Sequence, residues 1–409
     1  MNPKAIRIND FTYSLPDERI ATYPLEERDA SKLLVYRNGE IVENTFKNLS
    51  DELPHGAMLV FNDTKVIQAR ILFIGEKDTI EIFCLEPVEP SPVIEVAMGS
   101  SGATIWKCLI GNNKKWKDLP QQAVYYHDGQ AVKLTAEKLR KEDDVFIVKF
   151  SWEPSDMLFS RVLEIGGQTP LPPYIKREAD DSDKDRYQTV YARAHGSVAA
   201  PTAGLHFTQN VIDSLAAKNI TTANVALHVG AGTFRPVKAE FLKDHEMHAE
   251  QIHVTKEFVE KLLAQIGKGP VITVGTTSLR TLESLYWLGI KLRHTEDLVS
   301  DIFIDQWEPY DINPGVLIEP KKAIESVLAY MKQNKLSAII GKTALLIVPG
   351  YTFKLADGII TNFHQPQSTL LLLVAAMAGS GWRKVYNHAL DNNFRFLSYG
   401  DSSLLYKHE

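Results

Sequence analysis

Cysteine is nearly missing from this 409-residue chain, which holds only Cys84 and Cys108. Two thiols cannot form a disulfide framework or a four-thiolate zinc site, so a reducing compartment is the simplest setting. Long apolar runs are missing as well. The longest, Leu370 to Ala378, falls far short of the ~20 residues that span a bilayer. The segment Met1 to Asp10 has no apolar signal core. There is no excess of positive charge: 51 acidic against 45 basic side chains give a formal net charge of −6. That excludes a globally basic nucleic-acid coat but leaves room for a local basic groove. Repeats and low-complexity tracts are not visible. The remaining composition, 44% hydrophobic and 23% charged, is that of a globular protein long enough for more than one domain. The expectation is a soluble, cytoplasmic protein with no membrane association.

The texture changes along the chain. Residues 57–150 read as short strands: Leu59 to Phe61 is a buried run, and Thr79 to Leu85 and Asp144 to Phe150 alternate at period two. Turn signals at Gly75, Gly99, Gly111 and Asp128-Gly129 separate them. Many strands without helices predict a small closed β-barrel or a sandwich. From about Pro154 helices and strands alternate. Strands are expected at Asn224–Val229, Val271–Val274 and Ala344–Val348, and helices at Met157–Ile165, Lys256–Ile266, Thr281–Leu288 and Ser368–Ala378. The predicted fold class is therefore α/β. The alternating part reads as a layered domain, distinct in texture from the mixed 1–56 and the strand-rich 57–150. Ala179 to Arg186, dense in charge, reads as a solvated loop.

Several loops carry polar chemistry. His228-Val-Gly-Ala-Gly-Thr-Phe234 follows a strand, and Gly230 and Gly232 would let a ligand approach the backbone. A third glycine is missing and Pro236 follows closely, so a dinucleotide fingerprint is disfavoured. Gly275-Thr276-Thr277-Ser278 opens a helix after a strand, which suits either an anion or a plain N-cap. His245 and His248 are three apart, whereas the zinc-protease pattern needs four, so a polar cluster is preferred to a metal site. Thr202-Ala-Gly204-Leu-His206-Phe207 and Asn362-Phe-His364 lie on short loops of the kind that gather at strand ends. Gly167 to Arg177 is stiffened by prolines and ends in Lys176 and Arg177. It reads as a rigid linker or as a strip along nucleic acid with Tyr174 as a stacking face.

Taken together, these segments resemble the S-adenosylmethionine:tRNA ribosyltransferase-isomerase family of queuosine biosynthesis. The resemblance runs from Asp10-Phe-Thr-Tyr-Ser-Leu-Pro16 and Arg28-Asp-Ala-Ser-Lys-Leu-Leu34 through Val60 to Arg70, Thr169 to Ile175 and Tyr187 to Tyr191. It continues with Val198 to Phe207, Leu227 to Phe234, His245 to His248, Gly275 to Ser278, Thr361 to His364 and Phe396 to Asp401. It implies a layered α/β catalytic domain of residues 1–56 and 151–409 with an inserted β-barrel domain of 57–150. It also implies transfer and isomerisation of the ribosyl part of S-adenosylmethionine onto 7-aminomethyl-7-deazaguanine at the tRNA wobble position. The products are epoxyqueuosine, adenine and methionine, with S-adenosylmethionine a consumed substrate and no resident cofactor or metal.

Such chemistry needs a base beside the sulfonium, an acid for adenine and a water-poor pocket. The implied proton carriers are His206, His228, His245, His248 and His364. Glu250 or Asp401 would balance the sulfonium, and Phe207 or Phe234 would face the adenine or the cation. The Gly275 to Ser278 turn would hold the methionine carboxylate. Thr202, Gly204, Gly230, Gly232, Arg280 and Asn362 complete the substrate set, and Tyr174, Lys176, Arg177 and Tyr187 the tRNA set. The expected partners are tRNA and S-adenosylmethionine, with a homodimer allowed. The chain departs from the family pattern in an insertion near 285–345 and at Gln68, Leu346 to Val348, Gln365, Gln367 and Ser402-Ser403. Those departures sustain the alternative of a relative that binds tRNA or a nucleoside without the transfer.

Overall fold

Strands that are apolar along their whole length must be covered on both faces, and two of them form the centre of the molecule. In the computed structural model, which describes residues 2–75, 78–117, 119–230, 239–294 and 302–408, Met58–Asn62 and Val271–Val274 lie side by side and parallel. They belong to a ten-stranded sheet. Its order is Phe303–Ile304, Ala338–Thr343, Glu250–Thr255, Thr221–His228, Met58–Asn62, Val271–Val274, Gly358–Asn362, Ser402–Tyr406, Lys32–Arg37 and Glu40–Thr45. Alternate side chains enter opposite layers. Leu59, Phe61, Ile272, Val274 and Ile360 pack with Val211 and Leu215 of the Gln209–Ala217 helix. Met58, Val60, Val271 and Ile359 pack with Leu279, Leu282 and Leu285 of the Thr276–His294 helix and with the Thr369–Ala378 helix. Both Gln209–Ala217 and Thr369–Ala378 begin at a hydroxyl cap, Thr208 and Ser368, each accepting from a backbone N–H one turn in.

The second sheet is antiparallel and curled. Its seven strands run in the order Gly167–Gln168, Arg70–Ile74, Thr79–Glu89, Ala103–Gly111, Val145–Glu153, Gln130–Glu142 and Gln121–His127. Tyr125 Oη on the last strand donates to Leu72 O at 3.4 Å, so the edge strand reaches back toward Arg70–Ile74 and the sheet forms a half-barrel. Trp106, Phe150, Trp152 and Phe159 fill it, and the buried thiols Cys84 and Cys108 face each other across two strands. The fold is thus mixed α/β with a separate curled β-sheet. Met58–Asn62, counted with the barrel segment in the sequence, is instead central to the large sheet.

Two further expectations are corrected. Ala344 to Val348 is buried but is not a strand. Arg280 Nε takes the Leu345 carbonyl (3.0 Å), and Tyr310 Oη donates to Leu346 O (2.9 Å), so side chains satisfy backbone groups that a ladder would otherwise pair. The charged 179–186 loop is not wholly solvated. Asp183 is fully buried, paired by two oxygens to Arg177 (2.7 and 2.8 Å).

The described part of 285–345 builds the outer half of the Thr276–His294 helix, the Pro320–Gln333 helix, the edge strand Phe303–Ile304 and its neighbour Ala338–Thr343. A side chain at Gly289 would sit 2.3 Å from the Ala323 carbonyl oxygen, so glycine is what lets these two helices touch.

Candidate functional site

Four parallel strands, Met58–Asn62, Thr221–His228, Val271–Val274 and Gly358–Asn362, finish at one edge of the large sheet. Ser402–Tyr406 and Lys32–Arg37 start there, with Asn362 and Leu33 both opposite Ser402. The C-terminal edge of a parallel sheet is where open α/β folds place their ligands. Asn62 fastens the edge internally: its amide donates to Leu227 O (3.0 Å) and Thr277 Oγ1 (3.3 Å) and accepts from Leu227 N (3.1 Å). Gly275, at φ +88°, turns the chain from strand to helix. Ser278 Oγ donates back to Val274 O at 2.7 Å, so that hydroxyl is committed to the backbone, while Thr276 is half-buried at the helix start.

A chain of polar contacts crosses this edge. Thr202 Oγ1 donates to Asn362 Oδ1 (2.8 Å), and Asn362 Nδ2 donates to His206 Nε2 (3.2 Å). That leaves the His206 proton on Nδ1, pointing to Ser31 Oγ at 3.0 Å. Burial, with Arg395 and then Arg28 nearby, pushes the His206 pKa down to about 3, so the ring is neutral at ordinary pH. His364 is also neutral, its pKa lowered to about 4 by burial. Its Nε2 lies 2.9 Å from Thr361 Oγ1, its N–H donates to Tyr386 Oη (3.0 Å), and its carbonyl accepts from Tyr13 Oη. Thr361 and Asn362 are consecutive in a strand, so His364 and His206 hang from opposite faces of the sheet.

His228 is different. It ends its strand buried, with Nε2 2.9 Å from Glu95 Oε1, a residue of the Ile94–Met98 helix beside the curled sheet. Burial alone would raise the Glu95 carboxyl. The hydrogen bond from His228, its charge and His253, 3.8 Å away, bring it below the usual carboxylate value. An ionised Glu95 can only accept, so in the neutral ring Nε2 holds the proton and Nδ1 carries the lone pair. His228 Nδ1 is buried and has no hydrogen-bond partner among the described residues. A side chain at Gly196, at φ +129°, would come within 1.9 Å of Ile94 Cγ2 and 3.2 Å of that nitrogen, so glycine lets the backbone pack beside the ring.

The family is decided by a chain-wide match. A family model described as queuosine biosynthesis protein covers residues 8–317 and 319–405. The chain belongs to the queuosine biosynthesis protein family. Among curated relatives, a protein of Thermotoga petrophila named S-adenosylmethionine:tRNA ribosyltransferase-isomerase is 39% identical over 406 residues, covering 98% of this chain and 100% of that protein. A Magnetococcus marinus protein of the same name is 38% identical, covering 98% and 94%. A solved structure titled S-adenosylmethionine tRNA ribosyltransferase, from Thermotoga maritima, is 29% identical over 97% of this chain and 99% of that one, with a TM-score of 0.46.

In this queuosine-family chain the remaining expected residues separate into those at the edge and those elsewhere. Gly204 sits at the edge against the Tyr191 hydroxyl, and half-buried Gly230 follows His228. Gly232 and Phe234 lie outside the described residues. Glu250 and Arg280 form a buried ion pair with each other, so Glu250 is not a free counter-charge for a sulfonium and Arg280 is not a free anion site. Asp401 is likewise engaged: its oxygens accept from Lys32 N (3.0 Å) and Arg395 N (2.7 Å). Phe207 is wholly inside the core between Phe46 and Phe61 and cannot face a ligand.

His245 is half-buried, its pKa lowered by burial and by His248, which is exposed. Gln306 grips this loop, donating to His245 O (2.9 Å) and accepting from Met247 N (2.7 Å). Among the described residues no cluster of metal-ligating side chains is present. Of the tRNA set, Lys176 is exposed, with Asp17 3.2 Å away. Tyr174 is half-buried, bonded to Ser398 Oγ (2.5 Å), and Arg177 is spent on Asp183. Tyr187 is fully buried against Tyr399, so it cannot stack on a base. Ser31, Glu95, His253 and Gly196 are neighbours of the site that the sequence does not single out. Glu95 is 133 positions from His228, and only a fold could pair them.

Proposed function

We propose that this chain transfers and isomerises the ribosyl moiety of S-adenosylmethionine onto 7-aminomethyl-7-deazaguanine at the tRNA wobble position. The products are epoxyqueuosine, adenine and methionine. The observation that carries the reading is the reach of the match: 98% of the chain aligns at 39% identity with a relative bearing the name of this activity. S-adenosylmethionine is consumed in this reading, with no resident cofactor, and the setting is cytoplasmic. Among the described residues no helix is long and apolar enough to cross a membrane. We read 57–150, less the Met58–Asn62 strand that belongs to the large sheet, as the inserted unit and 1–56 with 151–409 as the catalytic one.

The chemistry follows from the sulfonium. Its positive charge acidifies the adjoining ribosyl C–H, and a base that takes this proton leaves an electron pair on the carbon beside sulfur. His228 fits that role. Glu95 fixes its tautomer and would stabilise the imidazolium formed, and the Nδ1 lone pair is uncommitted among the described residues. Adenine then departs with its glycosidic bonding pair and one proton, the carbon pair is used in the new bond of the isomerised ring, the amine nitrogen bonds to the ribosyl skeleton and releases one proton to solvent, and the C–S bond breaks with its pair on sulfur, so methionine leaves as a neutral thioether. His206 and His364, held neutral, would serve as hydrogen-bonding groups that add no positive charge beside the sulfonium. The test is direct: purified chain, S-adenosylmethionine and tRNA carrying the aminomethyl base, with adenine release and the new nucleoside followed by mass spectrometry. Binding of both substrates without adenine release would sink the reading and favour a binding protein that lacks the transfer.

A further inference from the structure

We propose that Arg28, Arg186 and Arg395 form a binding site for one backbone phosphate of the tRNA, next to His206. This rests on the tRNA reading above. The three arginines, with Ser31, Ser398 and Tyr399, line a small, partly open space of about 20 Å³ whose described lining includes His206 and no carboxylate. Such a space admits one or two oxygen-sized atoms and no nucleoside.

The arginines are held by neutral groups. Arg28 donates to the backbone carbonyls of Gln188 (2.5 Å) and Asp185 (2.6 Å), and Arg186 donates to Leu25 O. Arg186 Nε is buried and has no hydrogen-bond partner among the described residues. Arg395 alone has a carboxylate in reach, Asp401 at 3.6 Å, and its oxygens are already held by two backbone N–H groups. Partly buried cations packed together are costly without a counter-ion. That cost is visible in Arg28, whose pKa is lowered by burial and then by Arg186, with the Asp185 charge only partly offsetting. An oxyanion in this space would relieve the repulsion and satisfy the orphaned donor. The planar, multiply donating guanidinium suits phosphate oxygens.

The surroundings favour a polymer over a small acid. Arg28 and Arg186 also line a broad, open cleft of about 650 Å³, with Lys47 and Asn210 on its wall. A strand must enter and leave, which an open cleft permits. Glu26, Glu27 and Asp29 line the rest of the cleft, so the favourable place for a phosphate is the arginine pocket itself.

The test compares wild type with Arg186→Gln and Arg186→Lys, using an unmodified anticodon stem-loop RNA as the probe. Binding is measured over a range of salt, and S-adenosylmethionine affinity by calorimetry. Loss of one phosphate contact should weaken RNA binding several-fold and reduce the slope of log K against log salt by about 0.7–0.9. Arg186→Lys should restore the slope, and S-adenosylmethionine affinity should not change. An unchanged slope in Arg186→Gln overturns the proposal. So does a fall in S-adenosylmethionine affinity with RNA binding intact, which would mark a carboxylate site, or a wild type that does not bind the RNA. Should Arg186→Gln melt early, Arg395→Gln gives the same readout. Wild-type turnover in the same preparation separates the two ideas. Turnover with an unaltered variant slope sinks only the phosphate site, whereas a lost slope without wild-type turnover sinks only the transfer reading.

Discussion

Replacing Glu95 by glutamine keeps the shape of the side chain and removes its charge. In the native pair the carboxylate accepts from His228 Nε2 at 2.9 Å, which leaves the lone pair on the buried Nδ1. A glutamine amide can offer an N–H to Nε2 instead. The ring proton then moves to Nδ1, and the base is blocked by its own tautomer. General-base catalysis by a positioned side chain is worth roughly 10²–10⁴-fold. The expected loss in kcat is therefore about 10²-fold or more, equivalent to about 2.7 kcal/mol of barrier. Little stability should be lost, because the Glu95 side chain is 36% exposed. Solvent screening holds an ion pair of that exposure to below about 1 kcal/mol. The assay is single-turnover adenine release with saturating S-adenosylmethionine and modified tRNA, alongside a thermal melt. A Glu95→Gln enzyme that melts like wild type and releases adenine at the wild-type rate would refute the role of the pair.

Other expectations concern the residues placed in the interior. Tyr187→Ala removes a fully buried ring and should cost about 3–5 kcal/mol in a denaturant titration. RNA affinity of the folded fraction should stay as it was; a stable variant with weakened RNA binding would restore Tyr187 to the RNA surface. Glu250→Ala leaves Arg280 charged and unpaired in the core, with an expected cost of about 3–5 kcal/mol, and a melt unchanged from wild type would contradict the pairing. His206 and His364 have folded-state pKa values near 3 and 4, below the ordinary 6.5. Above that value both states are neutral and these rings contribute no pH dependence. As pH falls below it the unfolded chain takes up protons first, so stability drops until the folded rings also protonate. Between those limits the slope from two protons approaches about 2.7 kcal/mol per pH unit. Urea midpoints at about pH 5 and about pH 7 should differ accordingly, and a His206→Gln, His364→Gln chain should lose most of that difference. A double variant with the wild-type pH dependence would contradict the assignment.

The sequence exposes local physics well and distant pairing poorly. Val271–Val274 and the Thr369–Ala378 helix with its Ser368 cap are legible because an apolar run and a capping hydroxyl act within a few residues. Ala344 to Val348 has the same apolar signature as a strand, yet tertiary partners, Arg280 and Tyr310, take its carbonyls. The loops around Thr202, His206, His228, Gly275 and Asn362 are recognisable as polar strand ends, and the fold puts them on one edge. What each histidine does there is set by partners far away in the chain. Glu95 orders His228, whereas Ser31 and Asn362 orient His206, which burial keeps neutral. Charge is the least legible feature. Glu250 and Arg177 read as free ligands in sequence, but each is consumed by a partner, Arg280 and Asp183, that folding brings beside it.

The central claim is that His228 Nδ1 removes a proton from the ribosyl carbon next to the sulfonium. Incubating the enzyme with S-adenosylmethionine and modified tRNA in deuterated water, then locating deuterium at that carbon in recovered substrate and product, measures the step itself. The account predicts deuterium incorporation by wild type and its loss in His228→Ala, with S-adenosylmethionine still bound. Incorporation by His228→Ala at the wild-type rate would contradict it.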